Sequence, residues 1–389
     1  MTKTIGVLTG GGDVPGLNIA IKAVTMGAME AGYKVYGIRR GWKGLLHYDF
    51  DEPSTHDYYV KELGYVDVRT IDRSGGTFLH TSRTNPQKVK AGDIPDFLNN
   101  SSYGKELDES GTMDYTDYVL KVLEEIGVDA LVSIGGDDTL SFSARLHKEG
   151  FPVVGIPKTM DNDVYGTDYC IGFSTAVSRS VDLITDMRTS LGSHERIGVV
   201  ELFGRNSGET SLITALLAQV DRAIISEVPF EIEKLADFLI DDKRRNPSNY
   251  VIMTVSEGAT YKGGKIVETG EADAFGHRKL GGIGQMISED IKRITKNNTM
   301  FQQMSYVVRS GPPDSLDRMV GMAYGSIALN LIKQDDTGKL TALQGGKYTA
   351  IPLDSVISGK KYADVDSYYD KENYLPKVKT YLNHPMFLT

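Results

Sequence analysis

Residues 130–163 constrain this chain more than any other stretch. Two short apolar runs, 130–134 and 152–156, flank a segment of helical character at 139–148 that Glu149-Gly150 closes. The pattern reads strand–helix–strand, with the two strands parallel and close together in one sheet. Each strand runs into a turn loaded with carboxylates: Gly135-Gly136-Asp137-Asp138, then Lys158-Thr159-Met160-Asp161-Asn162-Asp163. Parallel strands bring both turns to one carboxyl edge, where open α/β sheets bind their ligands. Asp137, Asp138, Asp161 and Asp163 repel one another there unless a divalent cation or a phosphate partner offsets the charge. A magnesium–phosphate site is the expectation.

A chain of 389 residues is too long for one ordinary core, and two α/β lobes are expected. The formal net charge of −9 argues against a nonspecific nucleic-acid binder, which needs a basic face. A phosphate site must then be built locally, from glycine amides and a few placed cations. Cys170 is the only cysteine, so no intramolecular disulfide forms, which suits a reducing compartment. The first residues show no secretory pattern, and no apolar run approaches the ~20 residues of a membrane helix. The expected setting is cytoplasmic, without a membrane partner.

The chain opens on a strand at 4–9, then Gly10-Gly11-Gly12-Asp13, then a helix that Pro15 starts and that runs to about residue 31. Strand, glycine turn and helix read as a phosphate cradle of free amides, or as a tight turn that merely needs glycine. A second glycine loop, Gly75-Gly76-Thr77-Phe78-Leu79-His80-Thr81-Ser82-Arg83, delivers an arginine able to clamp phosphate, or else a solvated surface arginine. Residues 93–111 read as a surface excursion with no chemistry. Further on, strands are expected at 196–201, 223–225, 250–255 and 305–308. Helices are expected at 173–189, 231–244, 280–295 and 316–333, with another from Gly204-Arg205-Asn206-Ser207-Gly208 to residue 219. A hairpin is expected over 260–278. Strands and helices keep alternating, which predicts a second parallel α/β lobe. The tail, 341–389, carries a strand at 348–352 and crosses back between lobes.

Six blocks now stand in order: TGGGDVPGLN (9–18), GGTFLHTSRTNP (75–86), GGDDTL (135–140), GIPKTMDND (155–163), SHERIGVVELFGRNSG (193–208) and SEG (256–258). Together they resemble the 6-phosphofructokinases of the phosphofructokinase A superfamily and span most of the chain. The resemblance implies an α/β fold of two Rossmann-like three-layer lobes with mainly parallel sheets. The donor and magnesium lobe would be 1–172 plus about 309–345; the sugar-phosphate lobe would be 173–308 plus about 346–389. It implies a phosphotransferase moving a phosphoryl group to the 1-hydroxyl of fructose 6-phosphate. Asp161 would be the base, Asp163 its assistant, and Thr159 a holder of the transferred group. Asp137 would hold Mg²⁺, while Gly11, Arg83 and Arg205 bind the donor. Such roles fit phosphoryl transfer, which depends on positioning and charge neutralisation.

Two positions bear on the donor. Members that use ATP carry glycines where this chain has Asp138 and Lys158. A carboxylate at 138 would face a nucleotide's α-phosphate, and a cation at 158 suits inorganic diphosphate. The pair resembles the pyrophosphate-dependent subgroup. The other reading is an ATP enzyme in which Asp138 and Lys158 pair at the rim. On the acceptor side, Arg196 (reaching from a second copy of a homodimer or homotetramer), Phe203, Gly204, Glu257, Tyr306 and Arg309 match sugar-phosphate positions. Phe203 replaces the usual methionine, and Met300 falls where a phosphate-binding arginine is common. Sedoheptulose 7-phosphate is therefore the alternative acceptor. Ile21 and Thr25 stand where allosteric members carry arginines, so strong nucleotide control is not expected. A catalytically silent regulatory subunit, the reading from another class, would lack the carboxylates that Asp137, Asp161 and Asp163 supply.

Overall fold

The computed structural model describes residues 3–99, 101–269 and 279–382. Its strands are β1 (Thr4–Thr9), β2 (Lys34–Ile38), β3 (Val60–Glu62), β4 (Ala130–Gly135), β5 (Val153–Pro157), β6 (Ile197–Leu202), β7 (Arg222–Ile224), β8 (Val251–Ser256), β9 (Thr299–Gln303), β10 (Lys339–Gln344) and β11 (Lys347–Pro352), besides three two-stranded pairs. The helices that bear on the site are α1 (Leu17–Glu30), α2 (Asp137–Lys148), α3 (Phe173–Ser193), α4 (Glu209–Ala218) and α5 (Ser315–Lys333).

The first sheet runs β11-β10-β5-β4-β1-β2-β3, and only its edge strands β11 and β3 pair antiparallel. The second, β9-β6-β8-β7, is parallel throughout. Alternation along the strands explains the layering. Ile5 and Val7 of β1 join the larger apolar cluster, while Leu8 faces a second cluster on the opposite side. Both faces of β1, β4 and β5 are buried, as parallel strands between helix layers must be. The larger cluster continues through α3 and α5 into the second sheet, so the two sheets share one apolar core.

The register of β4 on β5 pairs Ile134 with Ile156 and Gly135 with Pro157. Both strands therefore end side by side, and the two acidic turns emerge as neighbours. That part of the sequence reading holds.

Other parts need correcting. The strand expected at 305–308 is a 3-10 turn, Ser305–Arg309, and the strand is Thr299–Gln303 instead. Ser305 has φ +21, which ends the extended chain, and Tyr306 and Val307 project into solvent. The strand expected at 348–352 with the sugar-phosphate lobe lies in the first sheet. It pairs antiparallel with β10 across Gly345-Gly346, both at positive φ, a two-residue turn that suits a tight hairpin. The tail reaches the second sheet later, where the Ala223 amide donates to the Tyr374 carbonyl. Of the hairpin expected at 260–278, residues 270–278 lie outside the described residues; its flanks, Glu268–Thr269 and Lys279–Leu280, pair antiparallel. Ile21 and Thr25, where no effector arginines were expected, lie on the fully buried face of α1.

Candidate active site

In the glycine turn after β1, two of the amides are taken up within the chain. The Gly10 amide donates to the Ile134 carbonyl and that of Gly11 to the Ser82 carbonyl. The turn is also crowded. A Cβ on Gly10 would lie 2.5 Å from the Thr139 hydroxyl, and one on Gly12 would lie 2.4 Å from the Arg309 guanidinium. Positive charge for an anion comes from side chains gathered around the turn.

Arg83 arrives on a loop that the same turn anchors. The Asn18 side chain accepts from the Phe78 amide and donates to the Gly75 carbonyl, and Thr9 meets Thr77 at 2.9 Å. Thr81 donates to the Gly11 carbonyl. Lys158 is 3% exposed and donates its Nζ to the Gly12 carbonyl at 2.5 Å. Burial first, then the Arg309 and Arg83 charges, push its ammonium down to about 8. A lysine buried among arginines is a receptor for an anion, which would restore its charge. The Asp138–Lys158 rim reading fits poorly with a lysine this deep.

These groups and the two acidic turns close on one cavity of about 130 Å³. Gly11, Arg83, Asp137, Asp138 and Lys158 line it, as do Thr159, Asp161, Asp163, Arg205 and Arg309. Asp137 and Asp138 open α2, where the Asp137 carboxylate accepts from the Asp138 amide. Among the described residues no cluster of three or more His, Cys, Asp or Glu is poised around a metal. A Mg²⁺ ion keeps several waters and takes one or two carboxylates plus phosphate oxygens. Asp137, which lines the cavity, could hold such an ion.

The second turn is held by its own side chains. Thr159 Oγ1 accepts from the Asp161 amide and also bonds the Asp163 carboxylate. Asn162, at φ +54, separates the two acids. Asp161 accepts from the Arg205 amide, while its Oδ1 is buried and unpartnered. Burial, then the Asp163 and Glu257 charges, hold the Asp161 carboxyl well above the usual carboxylate range. Burial also raises Asp163, against hydrogen bonds from Thr159 and Asn206. A buried carboxylate with one oxygen unsatisfied, facing a cavity, is what a general base looks like before its substrate arrives.

From the second sheet, Phe203 and Gly204 follow β6 and Glu257 follows β8. The Glu257 amide donates to the Leu202 carbonyl, and burial pushes its carboxyl up to about 7. Arg309 stacks on Phe203 at 4.4 Å, with Tyr306 at 5.5 Å on its solvent side. Arg309 therefore joins the cavity that it lines to Phe203 and Tyr306. Two residues named in the sequence reading lie away from this cavity, Arg196 having been expected to act from a second copy and Met300 having been named only as a departure from arginine. Arg196 precedes β6 at the opposite end of that strand, roughly 20 Å from Phe203 at the usual rise. Met300 lies inside β9, paired with Gly198 and packed on the core, so no phosphate contact falls to it.

Sequence reasoning missed more than it misplaced. Gly12, Val14 and Asn206 also line the cavity. The excursion dismissed at 93–111 begins as one wall of a second cavity of about 800 Å³, which shares Arg83 with the first and holds Lys43, His47, Lys88 and Lys90. No local pattern marks those residues, because the wall forms only when the excursion folds back over the Arg83 loop.

Comparison with known proteins agrees with this geometry. A family model described as phosphofructokinase matches residues 4–332. A pyrophosphate–fructose 6-phosphate 1-phosphotransferase of Amycolatopsis methanolica is 36% identical over 371 residues, 95% of this chain and 98% of that protein. An ATP-dependent 6-phosphofructokinase of Chloroflexus aurantiacus is 35% identical over 352 residues, covering 90% of each. A solved pyrophosphate-dependent phosphofructokinase from Nitrosospira multiformis superposes with a TM-score of 0.74 over 99% of this chain and 95% of its own, at 15% identity, which bears on fold alone. From the matched glycine turn to the paired acidic turns, this chain belongs to the phosphofructokinase family.

Proposed function

We propose that the chain transfers a phosphoryl group from inorganic diphosphate to the 1-hydroxyl of fructose 6-phosphate. The observation that carries the donor assignment is the small cavity itself. Its volume of about 130 Å³ suits diphosphate rather than a nucleotide, and Lys158 and Asp138 both line it. Diphosphate would lie against Gly11, Lys158, Arg83 and Arg205, with Mg²⁺ at Asp137 neutralising its oxygens. The sugar would enter from the Phe203, Gly204, Glu257, Tyr306 and Arg309 side, with Arg196 supplied by a second copy. Asp161 takes the hydroxyl proton as the sugar oxygen bonds to the near phosphorus. The bridging P–O bond breaks, and inorganic phosphate leaves. Asp163 and Thr159 keep the base oriented, and Arg205 and Arg309 stabilise the charge that develops in transfer.

One observation favours a second reading. The cavity of about 800 Å³ beyond Arg83 has room for a nucleoside, so ATP could lie across both spaces. Initial rates with diphosphate or ATP against fructose 6-phosphate or sedoheptulose 7-phosphate separate the possibilities. Diphosphate with fructose 6-phosphate should be fastest, and Asp138→Gly with Lys158→Gly should raise the ATP-to-diphosphate ratio. An ATP preference in the unmodified protein would overturn the donor assignment.

A further inference from the structure

Behind the base turn, on the side away from the cavity, lies a polar group that the transfer chemistry does not use. Asn162, wholly buried between Asp161 and Asp163, donates to the Asp168 carbonyl at 2.9 Å and to Glu209 Oε1 at 3.1 Å, and accepts from the Cys170 amide at 2.8 Å. Glu209 is the first residue of α4 and is 3% exposed. Its Oε2 has no hydrogen bond but lies 3.6 Å from the Nζ of Lys361. Lys361 comes from the tail, about 150 residues beyond Glu209, and donates to the same Asp168 carbonyl at 3.0 Å. Two residues on, the Ala363 amide donates to Glu227, whose carboxylate also accepts from the Gly208 amide just before α4.

We infer that Lys361 is a positioning residue for phosphoryl transfer: from the tail it fixes the Asp161–Asp163 turn through the Asp168 carbonyl and the Glu209–Asn162 pair, and sets a positive charge behind the two acids. The inference builds on Asp161 as the base. A buried carboxylate at Glu209 with no cation beside it would sit close behind a base that must itself ionise. Burial pushes Glu209 up to about 7, and the Lys361 charge opposes that shift. Lys361 also draws Asp163 down against its burial. The other ionisable groups facing these acids are Glu257 and Arg309 toward Asp161, Glu227 and Tyr368 toward Glu209, and Cys170 between Asp163 and Glu209. Asn206 and Thr159 are the neutral partners of Asp163.

The test is steady-state kinetics of Lys361→Met, Lys361→Arg and the double variant Lys361→Met with Glu209→Gln, over a range of pH, with diphosphate, Mg²⁺ and fructose 6-phosphate. Lys361→Met should lower kcat by roughly tenfold to a hundredfold, the scale of a misplaced catalytic group. Both KM values should stay within about threefold, because no substrate-facing group changes. Removing the cation makes proton loss from the acids harder, so the acid limb of the kcat profile should move to higher pH. Lys361→Arg should recover most of kcat, and the double variant should return the acid limb toward its original position by removing the uncompensated charge. An unchanged kcat and acid limb in Lys361→Met, or a uniform loss that Lys361→Arg does not rescue, overturns the inference. Asp161→Asn, assayed beside them, distinguishes the two failures: if it keeps turnover, the base assignment falls; if it is inactive while Lys361→Met is normal, only the role of Lys361 falls.

Discussion

Asp161 shows how function and stability oppose each other at one residue. A buried acceptor without a partner costs about 1–3 kcal/mol, and Asp161 Oδ1 is such an atom. The raised carboxyl fixes the sign of the pH effect. Relative to the unfolded chain, its contribution to stability is fully present below the unfolded pKa and is lost as pH rises through the folded value. Once ionised, the side chain is therefore a burden on the fold. Asp161→Asn should cut kcat by about 10²–10⁴-fold while raising Tm by roughly 1–4 °C, readable by initial rates and calorimetry. A lower Tm with turnover preserved would contradict both halves. Lys158 sets the opposite limb. The kcat/KM for diphosphate should rise as the Asp161–Asp163 pair ionises and fall above about pH 8 as Lys158 loses its proton, with Lys158→Arg extending the alkaline side. A profile flat through pH 8 would show that Lys158 does not meet the donor. Asp161, Asp163, Asp137 and Lys158 were legible in the sequence because two strand ends in one parallel sheet have few places to go. Lys361 was not, since it comes from a tail whose sequence carries no mark of that destination, whereas Asn206 lies beside Arg205 in the 193–208 block.

At the scale of elements, the misread segments share a cause. Tyr306-Val307-Val308 has the β-branched and aromatic make-up of a strand, yet it forms a turn, because strand propensity describes a fit to a neighbouring sheet that is missing there. The β10–β11 hairpin was the reverse case: Gly345-Gly346 between two strand-like runs is a strong local signal, and it went unused while the tail was assigned to the other lobe. That hairpin adds an antiparallel edge to the donor-side sheet, so its turn chemistry is open to a direct check. Gly346 has φ +78, and Gly346→Val should lower stability by about 1–3 kcal/mol in urea unfolding, whereas Gly345→Asn should be nearly neutral. Equal losses in the two variants would mean that the turn does not have the conformation described.

Across the whole molecule, the residues proposed for one reaction come from both sheets and from the connections between them. Arg196 is the exception, at the far end of β6 from Phe203. If a second copy supplies it, Arg196→Ala and Asp161→Asn chains should each be inactive alone, and mixing them under exchange should restore turnover by rebuilding one complete site. Failure of exchanged mixtures to recover activity would place the sugar-phosphate contact within a single chain. The sequence by itself determined the alternation of strands and helices, the pairing of the two acidic turns, and the gathering of their carboxylates and Lys158 at one sheet edge, because those follow from short-range patterning and from the geometry of parallel strands. Only the tertiary structure decided that the Gly10 and Gly11 amides are occupied, that Arg309 of the cavity stacks on Phe203, that an excursion walls a second cavity, and that Lys361 of the tail returns to the Asp168 carbonyl. Those outcomes depend on contacts between segments far apart in sequence, where the energy lies in what meets and no single segment records its partner.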